Sequence, residues 1–238
     1  VPTEHKAGVV KALADSLNAW GPDDGPHPSG GGVGVRWILQ ALVASNETKL
    51  ALDLASQTSM PSFGHFALSP PGTFWEGWNT GDPTGNHGSM NHIMLAGGVD
   101  PWIYHHACGL RVPSAARGAL GFGRGTGRVA AGVIDVGVEE VIARRVGGCA
   151  AALHVPGGTA RVVWTYRDSV LAWNVTVPFG NVAELRFPAA VEAADGRGGW
   201  LRAGDVEGAS HEGKGDAKVL LLALPSGTHA VVVTYVAA

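Results

Sequence analysis

Glu76 stands between two tryptophans, Trp75 and Trp78. An indole face stacks well on the apolar face of a sugar ring, and a lone carboxylate can take a proton from water. Together they suggest attack of an activated water on a bound carbohydrate. The alternatives are a solvated or helix-capping carboxylate and two ordinary core tryptophans. Residues 79–88 are rich in Gly, Pro, Asn, Asp and Thr, a loop composition. Ser89-Met90-Asn91-His92 then opens a long apolar segment ending near Leu110.

Other reactive groupings are weaker. His105-His106 are adjacent, and consecutive helical residues point about 100° apart, so the pair does not share an ion easily. Among the ten histidines no H-E-x-x-H or Cys/His ligand spacing occurs, so no metal and no cofactor is expected. Gly121-Phe122-Gly123-Arg124-Gly125 lacks the Lys and Ser/Thr of a phosphate loop and reads as a linker. Arg117, Arg124 and Arg128 form a small basic group along that linker. His87, in the Gly-rich loop, is a minor candidate.

The elements that must hold Glu76 read as helices. Residues 7–20 carry Val9, Val10, Leu13, Leu17 and Trp20 at a helical period, and Gly21-Pro22-Asp23-Asp24-Gly25-Pro26 stops them. A second helix is expected over 33–44 and a third over 47–57, with 60–66 extended or irregular. A fourth is expected over roughly 89–107, with Ser89 as its N-cap and Gly97, Gly98 and Pro101 bending or breaking it.

The composition changes after about Val112. Short apolar runs separated by turns follow at 150–155, 161–166, 170–177, 182–187, 218–224 and 229–236. Pro156-Gly157-Gly158-Thr159 and Pro178-Phe179-Gly180-Asn181 read as tight turns. Five or more strands at this spacing suggest an antiparallel β-sandwich.

Composition sets limits. The chain has 238 residues, 45% of them apolar, which is enough for a packed core, and a net charge of −3 gives no footprint for nucleic acid or an anionic membrane. No apolar run approaches the roughly 20 residues of a membrane span. The start at Val1-Pro2-Thr3-Glu4, without Met, reads as a processed chain or a piece of a longer one. The two cysteines, Cys108 and Cys149, allow one disulfide, with two buried thiols the favoured expectation. The sequons Asn46-Glu47-Thr48 and Asn174-Val175-Thr176 are compatible with an extracellular protein but are short enough to arise by chance.

The order Trp75-Glu76-Gly77-Trp78, Ser89-Met90-Asn91-His92 and Trp102-Ile103-Tyr104…Cys108-Gly109-Leu110 resembles the late catalytic barrel of bacterial-type α-L-rhamnosidases, apart from one extra residue near Asp100–Pro101. Residues 158–188 resemble the β-sandwich that follows that barrel, and His27–Gly34 resembles a His-x-x-x-Gly stretch before a barrel helix. The resemblance weakens only between Gly196 and Gly215. It implies an α+β multidomain chain: residues 1–112 as the end of an (α/α)6 six-hairpin barrel, about four helices of it, and 113–238 as the C-terminal β-sandwich.

The resemblance also implies roles. Glu76 would be the general base of an inverting glycosidase, Trp75 and Trp78 the sugar-stacking wall, and His92 a hydrogen-bonding histidine at the sugar. Asn91 would cap or orient beside it. The substrate would be a terminal L-rhamnoside. The family's general acid lies in an earlier Asp/Glu-rich motif that has no counterpart among Glu4, Asp15, Asp23 and Asp24, so the acid would come from outside this chain. A third of a barrel cannot close its own core, which implies a partner: the remaining barrel or another subunit over the exposed helical face. A non-catalytic structural subunit and a lectin-like sugar-binding module are the competing readings.

Overall fold

The computed structural model describes residues 2–20, 24–78, 88–112, 132–188, 191–195, 200–201, 209–212 and 219–235. The chain divides into two compact units, Val1–Trp102 and Ile103–Ala238.

The first unit is helical. A 3-10 turn, Thr3–His5, leads into α1 (Lys6–Leu17), followed by α2 (Gly32–Ala44), α3 (Thr48–Ala55), α4 (Phe63–Leu68) and α5 (Ile93–Trp102). Val35, Leu39 and Leu42 lie on one stripe of α2 and are fully buried, joined by Ala51, Leu52 and Leu54 of α3. Helix α1 ends three residues before Trp20. Asn18 closes it, its backbone N–H and its side-chain amide both donating to the Ala14 carbonyl. Trp20 is therefore off the helical face and half exposed, with its ring against that of buried His27, centroids 5.2 Å apart.

Residues 60–66, expected to be extended or irregular, are irregular only to Ser62 and then enter helix α4. Ser62 is its N-cap: the hydroxyl accepts from the His65 N–H at 2.9 Å. His27 braces the entry to α4, its Nδ1 bonding the Pro61 carbonyl at 2.9 Å and its backbone N–H the Leu17 carbonyl. The fourth expected helix is also different. It starts at Ile93 rather than Ser89 and runs through Gly97 and Gly98 without a break. Pro101 sits in its last turn, where the missing N–H and the bulky ring disturb the hydrogen-bond ladder.

The second unit opens with a π turn, Ile103–Ala107, and contains β1 (Leu110–Arg111), β2 (Gly132–Val136), a short helix α6 (Glu140–Val146), β3 (Gly148–Val155), β4 (Gly158–Arg167), β5 (Val170–Val177), β6 (Asn181–Pro188), β7 (Val191–Asp195), β8 (Trp200–Leu201), β9 (Ala209–Glu212), β10 (Val219–Leu224) and β11 (Gly227–Tyr235). The described strands form two sheets, ordered β1-β2-β6-β10-β9 and β3-β4-β5-β11-β7-β8. Alternate residues are buried along β4 (Ala160, Val162, Trp164) and β5 (Leu171, Trp173, Val175, Val177), so each strand turns one side to the interior. Trp164 and Trp173 are directly opposed across that pair. Leu110, Ile134, Val136, Ala183, Leu185 and Leu224 are among the buried positions of the other sheet.

Three features depart from expectation. Most pairings are antiparallel, but β2 and β6 run parallel, with Val136 opposite Leu185. Helix α6 interrupts the β-rich half, with Ile142 and Ala143 buried and Gly147 ending it in the left-handed conformation. Cys108 and Cys149 form a disulfide instead of remaining thiols. They are 41 residues apart in sequence. The fold brings the end of the π turn against β3.

Candidate active site

Two short irregular stretches, around 73–76 and 89–92, are hydrogen-bonded side by side and carry Glu76, Asn91 and His92. Thr73 Oγ1 donates to the Met90 carbonyl at 2.6 Å, the His92 N–H to Phe74 O at 2.7 Å, and the Glu76 N–H to Ser89 O at 2.8 Å. The Ser89 N–H in turn donates to Glu76 Oε2 at 3.0 Å, a charge-assisted bond between residues 13 apart. Ser89 is therefore a brace for the carboxylate, not a helix cap, and its own Oγ accepts from the Asn91 N–H at 3.3 Å. Glu76 and Asn91 are exposed and His92 is half-buried. His92 Nδ1 is buried and makes no hydrogen bond among the described residues.

Under this pair of stretches lies an aromatic cluster. Phe66 and Trp75 are buried, Trp75 being 9% exposed, and Phe74 and Trp78 pack against them. The indole of Trp78 lies flat on Phe66, and Phe63 meets it edge-on at 5.3 Å and 77°. Trp78 Nε1 donates to the Gly30 carbonyl at 3.0 Å. The tryptophans thus pack down onto helix α4 rather than standing free as an open wall. A four-residue segment beside a helix with two phenylalanines buries more apolar area by turning its indoles inward.

Helix α4 is a supporting element that the sequence does not announce, since Ser62-Phe63-Gly64-His65 lacks the Glu or Gln of a capping box. Sequence reasoning also missed Gly88, which sits with φ +62° against the Glu76 side chain. His87 and the linker around Arg117, Arg124 and Arg128 lie outside the described residues. His105 and His106 have rings 6.3 Å apart and edge-on. Among the described residues, no three His, Cys, Asp or Glu side chains gather where they could share an ion.

Comparison with known proteins places these elements in context. Residues 1–107 match the bacterial α-L-rhamnosidase six-hairpin glycosidase domain. An α-L-rhamnosidase of Streptomyces avermitilis is 29% identical over 184 residues, covering 75% of this chain and 16% of the relative. The solved α-L-rhamnosidase of Dictyoglumus thermophilum superposes with a TM-score of 0.73 at 22% identity, over 98% of this chain and 24% of that one. The Streptomyces avermitilis enzyme solved with L-rhamnose gives 0.69 at 20% identity, over 98% of this chain and 20% of that one. At such identities the structural likeness speaks for the fold, and this chain spans only about a fifth of the length of these proteins. Residues 1–107 thus match the six-hairpin glycosidase domain, and the chain as a whole has the fold of one part of these two solved α-L-rhamnosidases.

Proposed function

We propose that this chain supplies the general-base side of an inverting α-L-rhamnosidase, acting on terminal L-rhamnosides. Glu76 takes a proton from a water molecule, and the water attacks the anomeric carbon from the face opposite the leaving group. A carboxylic acid outside this chain protonates the leaving oxygen. Inverting enzymes keep these two groups roughly 6.5–9.5 Å apart so that the water fits between them. The observation that carries the proposal is the state of Glu76. It is exposed, held by a backbone amide, and mounted on a packed aromatic base within the stretch that matches the glycosidase domain. His92 would hydrogen-bond a sugar hydroxyl, with Asn91 beside it. Trp75 would support the loop from below, and the accessible part of Trp78 would face the ring.

The same reading covers domains and partners. Residues 1–112 act as the barrel end and 113–238 as the accessory sandwich. The exposed Trp37 (61%), Leu68 (73%) and Val9 (49%) of the helical unit are apolar surface that further barrel helices or another subunit would cover. Among the described residues no helix is long and apolar enough to cross a membrane.

The test is Glu76→Gln in the complete polypeptide or assembly that carries this chain, assayed on an aryl α-L-rhamnoside. Turnover should fall by roughly 100- to 10,000-fold with L-rhamnose affinity little changed. The first-formed sugar, followed by NMR, should be the inverted anomer. An unchanged rate would remove Glu76 from the chemistry, and a retained anomer would overturn the inverting mechanism.

A further inference from the structure

We infer that the Gly88–Ser89 backbone is a positioning element for Glu76, fixing one carboxylate oxygen so that the other is presented to the water. The inference rests on the functional reading above and adds two residues to it.

Two observations carry it. The first is the reciprocal pair of bonds: Ser89 N–H to Glu76 Oε2 at 3.0 Å, and Glu76 N–H to Ser89 O at 2.8 Å. One bond fixes the backbone of Glu76 and the other fixes the end of its side chain, so the flexible torsions between them are clamped at both ends. The second is the closeness of Gly88. A Cβ built there would stand 2.6 Å from Glu76 Oε2 and 3.2 Å from its carboxyl carbon. The backbone at Gly88 therefore lies directly against the carboxylate, and a Cβ there would force the Glu76 side chain to shift.

An exposed glutamate without such a clamp samples many rotamers, few of which place an oxygen in line with an attacking water. Here the clamp is made of main chain, which costs no additional side-chain ordering. The Ser89 hydroxyl takes no part, since it is occupied by the Asn91 N–H. Gly72 provides an internal contrast. It too has a left-handed φ, +80°, but a Cβ there would come no closer than 3.7 Å to the Ala67 carbonyl. A substitution at Gly72 carries the backbone strain of a side chain at positive φ without touching the carboxylate.

The experiment compares Gly88→Ala and Gly72→Ala in the complete polypeptide, alone and with Glu76→Gln. It measures kcat and KM on an aryl α-L-rhamnoside and hydrogen exchange at the Ser89 amide by NMR. Gly88→Ala should lower kcat roughly 10- to 100-fold with KM nearly unchanged, the loss typical of a misplaced catalytic group. It should also speed exchange at Ser89. Gly72→Ala should keep both kcat and the slow exchange. In the Glu76→Gln background, Gly88→Ala should cost nothing further, because its effect passes through the carboxylate. Slow Ser89 exchange in Gly88→Ala, an additive loss in the double variant, or an equal loss of kcat in Gly72→Ala would overturn the inference. Turnover that does not depend on Glu76 would overturn the functional reading and the catalytic purpose of the clamp with it. The exchange measurement would still show separately whether the contact exists.

Discussion

Trp78 lies parallel to Phe66, with ring centroids 5.1 Å apart and planes 9° apart, and it reaches past that ring to give its indole N–H to Gly30. One side chain thus joins the Glu76 loop to helix α4 and to the segment leading into α2. Trp78→Ala should destabilise the helical unit by about 2–3 kcal/mol, less than for a fully buried tryptophan because Trp78 is only half-buried. Trp78→Phe keeps most of the stack and loses one hydrogen bond, so it should cost about 1 kcal/mol. Urea denaturation midpoints of the two variants would give the order. Equal losses would mean that the stack contributes little.

Helix α4 depends on its start. It is only six residues long, and the Ser62 hydroxyl satisfies one of its first backbone N–H groups. Ser62→Ala should cost about 1 kcal/mol. Because α4 carries Phe63 and Phe66, the alanine variant should also loosen the loop above it. Faster amide exchange at His92, whose N–H is held by Phe74, would report that loosening.

The disulfide closes a loop of 41 residues between Cys108 and Cys149. By the chain-entropy estimate such a cross-link is worth about 4 kcal/mol, since it restricts the unfolded chain more than the folded one. Reduction, or Cys149→Ser, should therefore lower the thermal midpoint of the β-rich unit. An unmoved midpoint in calorimetry would contradict this.

His106 gives the β-rich unit a pH dependence. Burial above all, then Arg111 and His105, lowers its pKa to about 4, against a smaller opposing pull from Asp135. In the unfolded chain it protonates near the ordinary value of about 6.5. Between those values the unfolded state binds more protons, so stability falls as pH drops from about 6.5 toward 4. His106→Asn should flatten that part of the curve, and the difference between the two proteins isolates it from carboxylates such as Asp135. Identical slopes for wild type and variant over this window would show that His106 is not the group responsible.

The local patterns were legible where one segment's own periodicity reports its burial. Helix α2 was expected over 33–44 and runs Gly32–Ala44, because Val35, Leu39 and Leu42 recur on one helical stripe. Strand β5 was expected over 170–177 and occupies Val170–Val177, because Leu171, Trp173, Val175 and Val177 alternate inward. The six-residue α4 was invisible, since it spans less than two turns and shows no period. Helix α6 was hidden for the same reason, in a stretch whose neighbours read as strands.

Residue types and order alone determined the candidate chemistry: a carboxylate between indoles, an Asn-His pair downstream, and a helical half followed by a β-rich half. Tertiary structure decided what those residues touch. The indoles turn inward onto Phe66, the Ser89 amide reaches Glu76 rather than opening a helix, β2 pairs in parallel with β6, and Cys108 meets Cys149. Each of these joins segments far apart along the chain. Such contacts form when the gain from burial and hydrogen bonding exceeds the entropy of closing the loop between them, a balance that no single stretch of sequence displays.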